Sequence, residues 1–233
     1  MSNSLREFFD LGIFWEYRTV LLRGLAVNFY VFLAAAALAL SVGLGAALLR
    51  ISRLRILRTL GTLHVEIFRN APEYVMIVWV HFVLPLLIGL LLHTRFEFNP
   101  FVSAMIALGF VYSGYFAETF RAGIEAVPAG HLEAARSLGM GEGLILRRIV
   151  LPQVVRSMLP ESINQFISLF KATTIVSLIA VPDLMYQVSM ITQQQMRPLP
   201  LYTGAAITYF VIVLVAGSSL RVLADRWRAR IRA

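Results

Sequence analysis

Four polar residues inside an otherwise apolar segment are the side chains best suited to do chemistry in this chain. Glu161, Asn164, Ser168 and Lys171 fall within about 80° of one another on a helical wheel, so one side of a helix is polar. Ionisable side chains at membrane depth are costly and often mark a solute path. Lys171 is suited to bind a carboxylate from a solute. The sequence leaves open a structural ion pair with a carboxylate of another helix. Glu161 itself is about 15 Å away along the axis.

A second candidate region is the polar segment 121–152, which separates two apolar runs. Its residues predict a short helix over His131–Leu138, and Gly139 fits the left-handed position that commonly ends a helix. A second short helix is predicted from Glu142 to Leu151, ending at Pro152. The segment is too long for a tight turn, so it is either an ordered docking element or a solvated loop.

Small side chains on the first of these helices favour the docking interpretation. Ala134 and Ala135 follow Glu133 directly, and alanine lets another protein approach a helix closely. The pattern alone leaves the two interpretations about equal.

Composition indicates that an apolar bundle must position these residues. The chain has 233 residues, of which 58% are hydrophobic and 15% are charged. A helix needs about 20 apolar residues to cross a bilayer. We therefore predict an all-α membrane protein whose residues 1–233 form a single transmembrane domain. Five spans are predicted, at about 25–49, 74–92, 101–120, 163–182 and 201–223.

Local patterns predict further features of these spans. Small residues recur every fourth position in the first span, which predicts close packing against a neighbouring helix. They are Ala35, Ala39, Gly43 and Ala47. Pro72 predicts a helix break before the second span.

The ends of the chain are less informative. Residues 2–23 lie in the membrane interface or form a tail, and no cleaved signal peptide is expected.

The distribution of positive charge predicts the orientation of the spans. With the amino terminus outside, the inner segments hold fourteen Lys and Arg residues and the outer segments hold five. Positive residues favour the cytoplasmic side. The amino terminus is therefore predicted outside, and the carboxyl terminus and the segment 121–152 in the cytoplasm.

The residue types exclude several classes of function. The net charge is +8, but the basic residues form no patch with interleaved aromatics, so nucleic-acid binding is not expected. The chain contains no cysteine, and its four histidines are too scattered for a metal site. It has no Gly-Lys-Ser/Thr sequence for nucleotide phosphates, no Gly-x-Ser-Gly sequence and no His-Glu-x-x-His sequence. An enzyme, whether an ATPase or an intramembrane protease, is therefore not expected, and no catalytic residue or cofactor is assigned.

Three stretches of the sequence resemble permease subunits of ATP-binding-cassette (ABC) importers, over roughly residues 20–232. They are Tyr112-Ser-Gly-Tyr-Phe-Ala-Glu118-x-x-Arg-Ala-Gly-Ile124, Gly130-His-x-Glu-Ala-Ala135 with Gly139, and Ile149-x-Leu-Pro-Gln153. They are similar to the EAA loop and its flanks in the polar amino-acid group of histidine, glutamate and glutamine type.

The resemblance implies a type I importer permease fold in a bacterial inner membrane. It implies two copies of a separate ATPase, a second permease chain, either identical or paralogous, and an external solute-binding protein. It also implies that Glu133, Ala134, Ala135 and Gly139 couple the chain to the ATPase.

Departures from the family pattern weaken any inference about the substrate. Lys171 is followed by Ala-Thr-Thr, where the family usually has Asp-Thr-Ser. The segment Trp79-x-x-Phe-x-x-Pro85 resembles permeases of the glutamate/aspartate type, which implies glutamate or aspartate as the substrate. Glu118, near the inner end of the third span, joins the four polar residues as a candidate for the substrate path. A secondary transporter or channel without an ATPase is the alternative.

Overall fold

The computed structural model describes residues 12–230, apart from the side chains of residues 223 and 225–230. Helices follow one another through this part of the chain, which contains no strand. They are α1 Gly12–Glu16, α2 Arg18–Arg50, α3 Arg55–Asn70, α4 Glu73–Leu92, α5 Pro100–Glu125, α6 Ala129–Ser137, α7 Glu142–Ile179, α8 Leu184–Gln195 and α9 Pro198–Arg230. The all-α prediction is confirmed. For residues 2–11, the prediction of an interfacial segment or a tail lies outside the described residues.

Among the described residues, five helices are long and apolar enough to cross a membrane. They are α2, α4, α5, α7 and α9, in the order that the sequence predicts. The predicted break before the second span is also confirmed. Helix α3 ends at Asn70, and Pro72 caps the start of α4. These helices therefore supply the predicted spans, and the direction in which they cross the membrane stays a prediction.

The prediction that Pro152 ends a short helix is wrong. The helix continues through Pro152 to Ala172, and residues Leu146–Val150 just before the proline are in π-helical geometry. The amide of Leu151 bonds to the carbonyl of Leu146, five residues back. A proline lacks the amide that an α-helix needs, so this wider turn shifts the hydrogen-bond register ahead of it.

The same device appears in α4. Residues Trp79–Val83 are π-helical, and the amide of Leu84 bonds to the carbonyl of Trp79 immediately before Pro85. Both spans thus keep a continuous helix across a proline.

The contacts divide the chain into two compact units, each built from separate stretches. Unit 1 comprises Met1–Ala37, Pro72–Gly109 and Ile167–Ala216, and unit 2 comprises Leu38–Ala71, Phe110–Phe166 and Gly217–Ala233.

Unit 1 contains a fully buried polar cluster centred on Asn28. The Asn28 side-chain amide donates to the Thr173 carbonyl oxygen at 3.2 Å and to the Asp183 carboxylate at 3.0 Å. Its oxygen accepts from the Leu184 amide and the Tyr209 hydroxyl, each at 3.1 Å. A buried polar group is costly unless it is hydrogen-bonded, so this cluster ties α2 to the end of α7, the start of α8 and α9.

Unit 2 is held by close contacts at glycine. A side chain on Gly43 of α2 would lie 2.9 Å from the Ser113 carbonyl oxygen of α5. One on Gly61 of α3 would lie 2.8 Å from the Ala46 carbonyl oxygen of α2. The predicted stripe of small residues, Ala35, Ala39, Gly43 and Ala47, is buried throughout.

We predict that Gly43→Ala destabilises the protein and that Gly45→Ala on the same helix does not. The added methyl group at position 43 meets backbone atoms that cannot rotate away, whereas the space around Gly45 is open. Overpacking of this kind costs roughly 1–3 kcal/mol. The effect is measured by heating each variant in detergent and monitoring the loss of its monodisperse peak in size-exclusion chromatography. Equal melting temperatures for the two variants would contradict this packing.

Asp183→Ala is expected to lower stability by roughly 2–4 kcal/mol, because it removes the cap of α8 and an acceptor for Asn28. Burial raises the pKa of Asp183 from its ordinary value of 3.8 to about 6. The folded protein therefore binds the proton more tightly than the unfolded chain does. Consequently, the stabilisation by Asp183 is greatest below about pH 4 and declines as the pH rises to about 6. Melting temperatures are measured from about pH 4 to about pH 8. The difference in melting temperature between wild type and variant should become smaller as the pH rises from about 4 to about 6. A difference in melting temperature that does not change with pH would contradict the raised pKa of Asp183.

Candidate functional site

The candidate docking element is helix α6 with the turn that ends it. Pro128 caps its start. At its end the Gly139 amide donates to the Arg136 carbonyl at 2.9 Å, and the Met140 amide donates to the Ala135 carbonyl at 3.1 Å. Gly139 is left-handed, with φ of 74°. This is the Schellman arrangement that glycine favours, as the sequence predicts for Gly139. The segment is therefore an ordered helix and turn.

The residues of α6 face two ways. Glu133 and Ala134 are exposed, whereas Ala135 is only 2% exposed and faces the protein. Gly139 is also exposed, and no atom lies within 4 Å of the position that its side chain would take. Of the four residues predicted to couple, three are therefore on the surface, and Ala135 holds the helix in place.

Leu138 is a candidate contact residue that the sequence reasoning missed. Its side chain is 81% exposed at the tip of the turn, next to Gly139. A large apolar side chain this exposed on a short polar helix is suited to an apolar recess on a partner. The signal available in the sequence was one leucine directly before the glycine that ends a polar helix.

Two side-chain contacts close the loop around α6. Arg136 donates to Glu142 at 2.8 Å, and both side chains are exposed, so this ion pair adds little stability. Since the Gln153 side-chain oxygen can only accept, His131 Nδ1 donates to it, at 3.1 Å. The second contact joins the start of α6 to α7, so the two elements are tied by side chains as well as by the chain.

The four polar residues predicted on the fourth span lie on α7. Glu161, Asn164 and Lys171 are exposed and Ser168 is half-buried. Gln165 donates to the Glu161 carboxylate at 2.7 Å. Lys171 makes no side-chain hydrogen bond or ion pair with any residue between 12 and 230 that the structure describes. An ion pair within the chain, which the sequence leaves open for Lys171, is therefore not observed there.

Glu118 differs from Lys171 because its charge is matched. Its carboxylate forms ion pairs with Arg50 at the end of α2 and with Arg121 one turn further along α5. Arg121 also pairs with Glu125. These contacts join the ends of α2 and α5, which therefore lie on one side of the membrane. The place of Glu118 in a substrate path stays a prediction.

Comparison with known proteins identifies the family. Residues 37–232 match the family described as binding-protein-dependent transport system inner membrane component. The chain belongs to this family. The resemblance to permease subunits of polar amino-acid ABC importers is thereby confirmed. This permease is a multi-pass protein of a bacterial inner membrane and a transport component, with the ATPase on a separate subunit.

Individual relatives of this permease are similar along most of their length. It is 28% identical over 222 residues to the histidine/lysine/arginine/ornithine permease HisQ of Salmonella typhimurium, covering 94% of this chain and 97% of HisQ. It is 31% identical over 198 residues to the arginine permease ArtQ of Bacillus subtilis, covering 84% and 86% of the two chains. It is 31% identical over 203 residues to GlnM of that organism, a probable glutamine permease, covering 85% and 91%.

A solved structure supports the same fold. The permease superposes with a TM-score of 0.83 and 29% identity on a chain from the crystal structure of an amino-acid ABC transporter with histidines, covering 93% of this chain and 98% of that one. Permeases of this family generally work with a separate ATPase subunit. The family therefore argues against the alternative of a secondary transporter or channel without an ATPase.

Proposed function

We propose that this permease carries polar amino acids into the cell. The similar chains named above belong to transporters of histidine, lysine, arginine, ornithine and glutamine. The observation that carries the proposal is the match over residues 37–232, combined with identity to amino-acid permeases that extends over most of each chain. The proposed orientation, with the amino terminus outside, is supported by the excess of basic residues in the inner segments.

Coupling to the ATPase is proposed to occur through α6 and its terminal turn. A rigid helix that projects an exposed tip is suited to transmit the closure of a partner domain to the spans. The support is the ordered turn at Gly139, the exposure of Glu133, Ala134 and Leu138, and the hydrogen bond between His131 and Gln153 of α7.

The proposed assembly contains two permease chains, two ATPase chains and an external binding protein. Five spans in one chain are few for a closed solute path, so a second chain related by a two-fold axis would complete it. The second permease chain is either identical or paralogous.

The substrate is proposed to be a small zwitterion or an acidic amino acid. The supporting observation is Lys171, an exposed cation on a span whose side chain has no partner among the described residues. With a membrane-normal two-fold axis, two such lysines would lie at one depth. Like charges at one depth repel, and a solute carboxylate between them would relieve that repulsion. Glutamate and aspartate are therefore the first ligands to test.

We predict that Gly139→Asp lowers ATP-driven uptake roughly tenfold or more and leaves membrane insertion unchanged. Residues other than glycine rarely adopt φ of 74°, so aspartate strains the turn that presents Leu138. Gly141→Asp is the matched control, since Gly141 has φ of −69° at the cap of the next helix, where aspartate is favoured. Co-purification with the ATPase and uptake into proteoliposomes containing the binding protein measure both variants. Equal uptake by the two variants would count against α6 as the coupling element.

Lys171→Met is expected to raise the substrate concentration for half-maximal ATPase stimulation roughly tenfold, because a charge-assisted hydrogen bond to the carboxylate is lost. Lys171→Arg keeps the charge and should retain most of the response. The assay is ATP hydrolysis by the reconstituted complex with binding protein and either glutamate or glutamine. An unchanged response of the methionine variant would remove Lys171 from the substrate path.

A further inference from the structure

Helix α3 presents three distinct faces. One is buried against the rest of unit 2 and includes Gly61 and Val65. A second is an exposed apolar stripe at helical spacing, formed by Ile56, Leu60, Leu63 and Ile67. The third, about 100° further around the axis, is polar and includes Thr59, Thr62 and Glu66, with the exposed Arg55 and Arg69 towards its two ends. We call these residues the polar face of α3. Thr59 and Glu66 are exposed and Thr62 is half-buried.

The second half of α3 lies at membrane depth. Gly61 packs against Ala46 and Arg50 at the end of α2, so α3 turns back along that span. Eight residues later, α3 reaches α5: a Cβ atom on Gly114 would lie only 2.9 Å from the backbone nitrogen of Arg69. Gly114 is near the middle of α5, a helix that is itself long enough to cross a bilayer. Glu66, about one turn before Arg69, is therefore inside the membrane on the side of the Arg50 end.

Lipid is excluded as the neighbour of the polar face. Glu66 makes no ion pair with the described residues, and its hydrogen-bond partner is the neutral Asn70 side chain at 3.2 Å. An unpaired carboxylate in contact with hydrocarbon is costly, so such residues face water or a polar partner. The neighbouring apolar stripe is the surface of α3 that suits lipid or a second protein chain.

We propose that the polar face of α3 lines the water-filled path through the half of the membrane at the Arg50 end. Glu66 disfavours solutes with a net negative charge there, so of the two substrate classes proposed above it favours the small zwitterion over the acidic amino acid. The occupants of the face are water and the transported solute. This inference rests on the proposed function, because a solute path presupposes transport. It adds to Lys171 a second charged residue on a different helix, with the opposite preference.

The absence of cysteine from the natural chain allows a direct test. Thr62→Cys and Glu66→Cys are paired with their sequence neighbours Leu63→Cys and Ile67→Cys, whose native side chains are 53% and 52% exposed. Each variant is assembled with ATPase and binding protein in inverted membrane vesicles and treated with a charged methanethiosulfonate. The permease band is then assayed for modification. Thiols react as thiolates and in water, so we expect positions 62 and 66 to react at least roughly tenfold faster than 63 and 67.

The outcomes separate cleanly. Reaction rates that are equal at the four positions, or faster on the apolar stripe, overturn the proposal. The polar face is then no more open to water than the apolar stripe. Modification of the embedded chain is measured whether or not the complex transports amino acids. Failure to transport therefore counts against the proposed function, and unreactive thiols in a transporting complex count against this inference alone.

Charge selection by Glu66 is tested separately with Glu66→Gln. One charge near a solute in water attracts a cation and repels an anion by about 1 kcal/mol each, so the uptake ratio of a cationic to an acidic amino acid should fall roughly thirtyfold at most. Thr59→Val is the control, since it alters the same face without changing charge and should leave the ratio unchanged. An unaltered ratio in the glutamine variant overturns the role assigned to Glu66.

Discussion

A polar group at membrane depth must find a protein partner or water, and the rest of this structure depends on how the chain meets that constraint. In unit 1, Asn28 satisfies the backbone at Leu184, the Tyr209 hydroxyl and the Asp183 carboxylate together. In unit 2, His64 and Ser113 bond to each other at 2.8 Å. The serine hydroxyl is already donated to the Phe110 carbonyl, so His64 must be the donor.

The charged groups without an ion pair inside the described part of the chain are the candidates for residues of the solute path. Lys171 and Glu66 lie on different helices, and each is exposed without an ion pair among the described residues. Glu118, by contrast, is held between two arginines within the chain. Unmatched charge, more than charge itself, therefore distinguishes candidate path residues from structural ones in this permease.

Backbone geometry adapts to the same constraint where prolines interrupt the spans. The π-helical turns before Pro85 and Pro152 keep the helices continuous, because they move the hydrogen-bond register ahead of a residue that cannot donate. In α7 the helix is continuous over a long stretch. It begins at Glu142, shortly after α6, and continues to Ala172, next to Lys171.

The sequence by itself determined the five spans, the break at Pro72, the stripe of small residues on α2 and the turn at Gly139. Each of these follows from a local rule about hydrophobic length, proline, side-chain size or glycine. Tertiary structure alone decided that Pro152 lies within a helix, that Ala135 faces inward and that Glu118 is paired. It also decided that α3 packs back along α2 and reaches Gly114 of α5. These outcomes depend on which distant groups come together, and the charge, size and spacing of neighbours along the chain do not specify that.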